Sequence, residues 1–332
     1  EKYNYDPVDW DTFRHVNQEF AQAAAAEADH GAAVWVHDYN LWLVPGILRQ
    51  LRPDLRISFF HHTPFPAADM FNVLPWRGEI IDSLLACDVV GFHIPRYASN
   101  FVSVVRSLRD VGQVPRIAVD PDFISEGSAL SDRTVPKQIE TEERTVRLGV
   151  SPVGVDTGYI RSVAERPETS ERTESFLKAM GGRRLILSVG RTDYTKGGAE
   201  QLLTFERLLE KHPECRETVK LLHVSVSANR NMTAYETVQN EIEAITGRIN
   251  GRFGSFEWQP VSLIGNAIPF EELIAYYQAA DVCWITPLAD GLNLVAEEFC
   301  AARTDGDGVL VLSEFAGVAV ALSDAVITNP FS

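Results

Sequence analysis

Two cations and two glycines directly follow an apolar strand in Leu185-Ile-Leu-Ser-Val-Gly-Arg-Thr-Asp-Tyr-Thr-Lys-Gly-Gly198. In an open α/β sheet, ligands bind at the carboxyl ends of the strands, which is where Arg191 and Lys196 fall. A guanidinium grips phosphate oxygens as a planar fork and an ammonium does so as a point charge, so a diphosphate suits the place. A second loop, Thr286-Pro-Leu-Ala-Asp-Gly-Leu-Asn-Leu-Val-Ala-Glu-Glu298, again joins an apolar strand to a helix. That helix, expected to begin near Leu292, turns its first amides and positive dipole end toward the same anion.

Asp290 offers a carboxylate to sugar hydroxyls or to the helix amides as an N-cap, and the two roles are compatible. Gly291 lets a ligand approach the backbone closely. Glu298, in the second helical turn, is placed to take both hydroxyls of a ribose. Taken alone, an Arg/Lys pair in a βα loop reads as surface charge, and a helix glutamate as a solvated one. Two such loops in one half point instead to a nucleotide-sugar site. The diphosphate leaving group of such a donor gains charge as the glycosidic bond breaks, and cations plus helix amides stabilise it in place of a metal ion.

In the first half, Trp35-Val-His-Asp-Tyr39 puts Asp38 at a strand end, and Phe59-Phe-His-His-Thr-Pro-Phe-Pro66 does the same for His61 and His62. These residues suit either the reacting sugar or the orientation of an acceptor. A histidine at a strand end also serves as a plain structural hydrogen-bonder. The acidic pairs Asp120-Pro-Asp122 and Asp305-Gly-Asp307 lie in turn-like surroundings where such residues are common. No metal and no cofactor is assigned.

The elements that must position these residues alternate. A helix is expected over 11–28, then a strand at Ala33–His37, a helix at Leu41–Leu51, a strand at Ile57–Phe60, a helix at Ile80–Ala86 and a strand at Val89–Phe92. Residues 117–150 read as a hairpin insertion, and the stretches Pro152–Asp156 and Arg166-Pro-Glu-Thr read as a hinge. From Leu185 the alternation resumes, with helices over 199–211, 233–249, 270–280 and 292–302 between strands at Val219, Val261, Val282 and Val309. This order implies doubly wound parallel sheets in two Rossmann-like domains, 1–160 and 161–332, facing each other across a cleft.

At 332 residues and 45% hydrophobic content, the chain is large enough for two such cores. A formal net charge of −16 argues against nucleic acid or an anionic membrane as a general partner. Four widely spaced cysteines suit a reducing, cytoplasmic setting better than a disulfide frame. No stretch is long and apolar enough to span a membrane, and no secretory signal is visible. The chain opens on Glu1-Lys-Tyr-Asn-Tyr and stops at Asn329-Pro-Phe-Ser332, so material beyond both ends is expected.

The strings His37-Asp-Tyr, Phe60-His-His-Thr-Pro-Phe-Pro66, Gly91-Phe-His, Pro152-Val-Gly-Val-Asp156, Gly190-Arg-Thr-Asp-Tyr-Thr-Lys-Gly197, Gly247-Arg-Ile-Asn-Gly251, Asp290-Gly-Leu-Asn-Leu-Val-Ala-Glu-Glu298 and Val309-Leu-Val-Leu-Ser-Glu-Phe-Ala-Gly317 together resemble the trehalose-6-phosphate synthase and glucosylglycerol-phosphate synthase family of retaining glycosyltransferases. That family has the α/β GT-B fold of two Rossmann-like domains. The resemblance implies that Arg191 and Lys196 bind the donor diphosphate. It also implies that the backbone of Gly291, Leu292, Asn293, Leu294 and Val295 assists, that Glu298 holds the ribose, and that Asp290, His62 and Asp38 surround the transferred glucose. It further implies front-face transfer with retained configuration, the acceptor hydroxyl giving its proton to the departing phosphate.

Asn40-Leu-Trp-Leu-Val-Pro, His93-Ile-Pro-Arg-Tyr97 and Trp284-Ile-Thr-Pro look more like the glucosylglycerol-phosphate branch, whose donor is ADP-glucose and acceptor glycerol 3-phosphate. The trehalose branch carries an acceptor-phosphate motif where Ser227-Ala-Asn-Arg-Asn-Met232 stands here, and Arg230 is the candidate acceptor-phosphate ligand. Ala289 replaces a usual arginine, and Glu297 a usual lysine. The family's amino-terminal strand with its glycine-rich loop, and its carboxyl-terminal crossing helix, are absent from these residues. The expected partners are therefore a nucleotide-sugar donor and a phosphorylated acceptor, with homo-oligomerisation left open. Three competing readings are trehalose-6-phosphate synthesis, a non-catalytic sugar-phosphate-binding paralogue, and a nicotinamide dehydrogenase. The last is disfavoured by the lack of a Gly-x-Gly-x-x-Gly after a strand.

Overall fold

The computed structural model describes residues 6–121, 124–125, 127–227 and 233–332, with the side chains at 233 and 234 left aside. It divides into two compact units, Glu1–Ile124 with Ser131–Val153, and Ser125–Leu130 with Gly154–Ser332.

In the first unit the helices are α1 (Pro7–Glu27), α2 (Val44–Leu51), α3 (Ala68–Phe71), α4 (Arg77–Leu85) and α5 (Pro95–Leu108). The strands are β1 (Ala33–His37), β2 (Arg56–His61), β3 (Val89–Phe92), β4 (Arg116–Ala118), β5 (Thr134–Pro136), β6 (Gln138–Glu140) and β7 (Thr145–Val150). They form one sheet in the order β1-β2-β3-β7-β6, with the β4-β5 pair apart. Strands β1, β2, β3 and β7 run parallel, and β6 closes the edge antiparallel to β7. Alternate residues Ile57, Phe59 and His61 point into a core with Val90 and Phe92. There, Phe65 stacks with Phe71 and meets Phe92 and Phe101 edge-on.

The second unit is a two-sided parallel sheet. Its strands are β8 (Arg184–Thr192), β9 (Val219–Ser227), β10 (Val261–Ile264), β11 (Val282–Ile285), β12 (Val309–Ser313) and β13 (Val326–Thr328), in the order β10-β9-β8-β11-β12-β13. Helices α8 (Gly198–Lys211) and α9 (Thr233–Phe253) cover one face through Leu202, Phe205, Leu209, Ile242 and Ile249. Helices α6 (Thr157–Ala164), α7 (Pro167–Met180), α10 (Phe270–Ala279) and α11 (Leu294–Ala302) cover the other through Ile160, Met180, Tyr277 and Phe299. Burial on both faces is why these strands read as continuous apolar runs.

Helices α3, α5, α6 and α7 depart from the sequence reading. Helix α5 went unread because its β-branched run Phe101-Val-Ser-Val-Val105 looks strand-like, although Pro95 at its first turn and the spacing of Tyr97, Phe101 and Val105 are helical. Helix α6 starts inside the expected hinge, with Asp156 accepting from the Tyr159 amide. The polar Arg166-Pro-Glu-Thr stretch opens α7, where Pro167 again fits the first turn. Finally, the expected hairpin insertion is split: β4 and β5 pair apart, and the β6–β7 hairpin joins the main sheet. Strand β7 lies beside β3 because Val146 and Leu148 alternate into the core.

Candidate active site

The order of the second sheet sets the place of its ligands. The chain lays down β8, then β9 and β10 on one side, then β11, β12 and β13 on the other, so the direction of winding reverses between β8 and β11. A crevice opens at such a switch point, beyond the carboxyl ends of the strands. The two loops singled out from sequence are the ones that leave β8 and β11.

Backbone bonds join the two loops. The amides of Leu288 and Ala289 donate to the Thr195 carbonyl at 2.8 and 3.3 Å. Asp193 accepts from the Thr195 amide and closes the turn before Lys196. Gly197 follows with φ +69°, and a side chain there would lie 2.9 Å from the Thr286 carbonyl. Only a glycine meets both demands at low cost. Across this seam Lys196 Nζ donates to Asp290 Oδ2 at 2.6 Å, with both side chains mostly buried. Asn293 Nδ2 donates to the same oxygen at 3.0 Å. Arg191, at the end of β8, is exposed, and its side chain makes no hydrogen bond or ion pair among the described residues.

Helix α11 begins at Leu294, two residues later than expected, and its cap is Asn293 rather than Asp290. Asn293 holds φ +85° and accepts from the Ala296 amide at 3.1 Å. Asn is one of the few residues that tolerates this region. The amides of Leu294 and Val295 thus lie in the first turn, where no helical carbonyl precedes them. Gly291 and Leu292 are buried before the helix, and Leu292 and Asp290 accept from Val318 and Gly317 through their carbonyls. These bonds hold the Asp290 loop against the Ala316-Gly317 turn.

Glu298 accepts a 2.8 Å hydrogen bond from the buried Tyr277 hydroxyl. Burial raises the Glu298 carboxyl above its ordinary range, and the Tyr277 bond opposes that rise. Neighbouring Glu297 is likewise raised, chiefly by burial and then by Glu298, and its Oε2 is buried with no hydrogen-bond partner among the described residues.

In the first unit Asp38 and His62 come together. Asp38 has φ +66°, costly for a residue with a β-carbon, and its Oδ1 accepts from the His62 amide at 3.1 Å. His62 Nε2 lies 2.9 Å from His37 Nδ1. Burial lowers the His62 pKa, Asp38 opposes the shift and His37 adds to it. His61 faces the opposite way, into the core, with Nδ1 against the Thr63 carbonyl at 2.8 Å, and burial takes it down to about 4. It is a structural residue.

The second unit therefore joins Lys196, Asp290 and Asn293 directly, with Arg191 at the end of β8 and Glu298 in α11 against Tyr277, and the first unit joins Asp38 and His62. Arg230 and Asp122 lie outside the described residues. Among the described residues no group of His, Cys, Asp or Glu could hold a metal ion, and no helix is long and apolar enough to cross a membrane. Sequence reasoning did not assign roles to His37, the partner of His62, or to Thr195, the carbonyl that joins the loops. His37 was visible in the His-Asp-Tyr string, but a backbone carbonyl leaves no residue signature.

The profile of glycosyltransferase family 20 matches residues 1–332. A glucosylglycerol-phosphate synthase of Synechocystis sp. is 49% identical over 331 residues, covering 100% of this chain and 66% of that protein. A trehalose-6-phosphate synthase of Mycobacterium bovis is 41% identical over 324 residues, 97% of this chain and 62% of that protein. Among solved structures, an alpha,alpha-trehalose-phosphate synthase (UDP-forming) from Burkholderia xenovorans in complex with glucose-6-phosphate is similar with a TM-score of 0.88 at 32% identity, over 99% of this chain and 69% of that one. The chain thus spans just under two thirds of the length of these two curated relatives, and its fold is the GT-B fold of that structure.

Proposed function

The chain belongs to glycosyltransferase family 20, and we propose on that footing that it is the larger part of a retaining glucosyltransferase that moves glucose from ADP-glucose to glycerol 3-phosphate. The product is glucosylglycerol 3-phosphate, which suits compatible-solute synthesis in the cytoplasm. The observation that carries the reading is the joining of two ligand-facing loops at one switch point, with Lys196 bonded to Asp290. The second unit is assigned the donor nucleotide and the acceptor phosphate, and the first unit the transferred glucose and the rest of the acceptor.

In this assignment Arg191 and Lys196 neutralise the donor diphosphate and the first amides of α11 add their dipoles. As the bond from glucose C1 to the phosphate oxygen breaks, its electron pair passes to the diphosphate. The acceptor hydroxyl attacks C1 from the same face and gives its proton to the departing phosphate oxygen, so neither a protein nucleophile nor a metal ion is assigned a step. Asp290 and Asn293 orient the sugar, Glu298 takes the ribose, and Asp38 with His62 holds the transferred glucose. Arg230 is assigned to the acceptor phosphate.

The choice of acceptor is supported by the higher identity to the glucosylglycerol-phosphate synthase than to the trehalose-6-phosphate synthase. The test is to incubate the protein with ADP-glucose or UDP-glucose against glycerol 3-phosphate or glucose 6-phosphate and to identify the products and their anomeric configuration. An α-glucoside of glycerol 3-phosphate is expected. Product with glucose 6-phosphate alone would move the assignment to trehalose-6-phosphate synthesis, and an inverted product would refute retention.

A further inference from the structure

Strands β8 and β11 are hydrogen-bonded neighbours over only a short ladder, Ile186 opposite Val282 and Leu187 opposite Cys283. On its other side β8 stays paired with β9 from Arg184–Val219 to Thr192–Ser227. Beyond Leu187 and Cys283 the strands part, and no ladder couples the end of β8, which carries Arg191, to the end of β11, which leads to Asp290.

Gln201 of α8 bridges this gap. Its Oε1 accepts from Ser188 Oγ of β8 at 2.7 Å. Its Nε2 donates to the Trp284 carbonyl of β11 at 3.1 Å and to Thr286 Oγ1, the first residue of the second loop, at 3.0 Å. Its own backbone amide donates to the carbonyl of Gly197, which ends the first loop. Ser188, Gln201 and Thr286 are 4, 5 and 6% exposed, so water cannot replace these bonds. The position is one where the helical period calls for an apolar residue, since Leu202, Phe205 and Leu209 bury the same side of α8.

We propose that Gln201 is a positioning residue that sets the spacing of the switch-point crevice, its amide taking the place of the ladder bonds that β8 and β11 do not make there. A side chain of fixed length, with its donors and acceptor all engaged, holds the Arg191–Lys196 loop and the Asp290 loop at one separation. An apolar residue of equal volume fills the same space but breaks the bridge at the base of the crevice, so that the Thr195 carbonyl and the Lys196–Asp290 pair must hold the loops without it. The inference rests on the reading that the crevice takes a nucleotide-sugar donor, and it adds the determinant of how tightly the donor is held.

The test compares Gln201→Leu, Thr286→Val and Ser188→Ala with the wild-type protein by calorimetric titration with ADP, steady-state kinetics with ADP-glucose and glycerol 3-phosphate, and thermal melting. Gln201→Leu and Thr286→Val, which cut the bond from the Gln201 bridge to the base of the second loop, are expected to weaken ADP binding and raise the KM for ADP-glucose at least about tenfold. The KM for glycerol 3-phosphate is expected to stay within about twofold. Ser188→Ala, which removes only the anchor on the strand already paired to β9, is expected to have the smaller effect. A role confined to stability would lower the melting temperature and leave the donor constants, measured well below it, unchanged. Wild-type binding of ADP with unchanged binding by a folded Thr286→Val variant overturns this inference alone, even if Gln201→Leu does not fold. Failure of the wild-type protein to bind ADP overturns the donor reading, and this inference with it.

Discussion

Lys196 and Asp290 stand 94 positions apart in the chain and are joined Nζ to Oδ2 at 2.6 Å. The bond ties the cation of one loop to the carboxylate of the other, so the two proposed roles, diphosphate and sugar, are held by one ion pair. Lys196→Ala removes a cation and one of the bonds that Asp290 Oδ2 accepts. We expect Lys196→Ala and Arg191→Ala each to lower kcat/KM at least about tenfold, near 1.4 kcal/mol in the barrier. Asp290→Asn should retain ADP binding while losing turnover. Wild-type rates in both cation variants would remove these residues from the site.

The glycines of the seam give a prediction about stability. A β-carbon on Gly317 would collide with the Gly291 carbonyl oxygen, a backbone atom that cannot swing away. Gly317→Ala is therefore expected to destabilise the second unit by roughly 1–3 kcal/mol, or to displace the Asp290 loop and abolish donor binding. Gly247 is the control. It lies in α9 with open space where its β-carbon would be, and Gly247→Ala should be neutral or stabilising by up to about 1 kcal/mol. Chemical denaturation of the two variants checks both signs.

Two buried histidines predict the acid limb of the stability curve. Burial takes His61 and His223 down to about 4 from an ordinary value of 6.5. A base held neutral by the fold contributes stability that is complete above the unfolded pKa and lost as pH falls toward the folded one. Stability should fall between about pH 6.5 and 4, by about 1.4 kcal/mol per pH unit for each proton taken up on unfolding. His223→Leu should reduce that slope by one proton. An unchanged slope would show that carboxylates dominate.

Glu297 stands where the resemblance leads one to expect a lysine, and its carboxyl is raised by burial and by Glu298. A carboxyl raised by the fold is stabilising relative to the ionised form only at low pH, and that contribution is lost as pH rises through its folded value. Glu297→Gln should accordingly stabilise the protein at neutral pH and converge with the wild type in acid. Glu297→Lys should tighten ADP binding roughly fivefold or more, from one added charge-assisted contact near 1 kcal/mol. Calorimetry at pH 7.5 decides. Weaker binding by the lysine variant would place position 297 away from the diphosphate.

Residue type and order alone determined the α/β class, nearly all of the strands of the second unit and both ligand-facing loops. Those features are local: an apolar run commits to a buried strand, and glycines after a cation commit to a tight turn. Helices α5, α6 and α7 were less legible, because a β-branched run and a polar proline segment mimic other states until neighbouring elements bury one side of them. The cap of α11 is Asn293, not the Asp290 that the sequence offered, whose carboxylate is engaged instead by Lys196 and the Asn293 side-chain amide. The pairing of His37 with His62, the buried bridge of Gln201 and the Thr195 carbonyl shared by two amides were decided by tertiary structure. Each joins groups brought together by strand order, and a hydrogen bond between distant residues has no signature in either partner until the sheet sets them side by side.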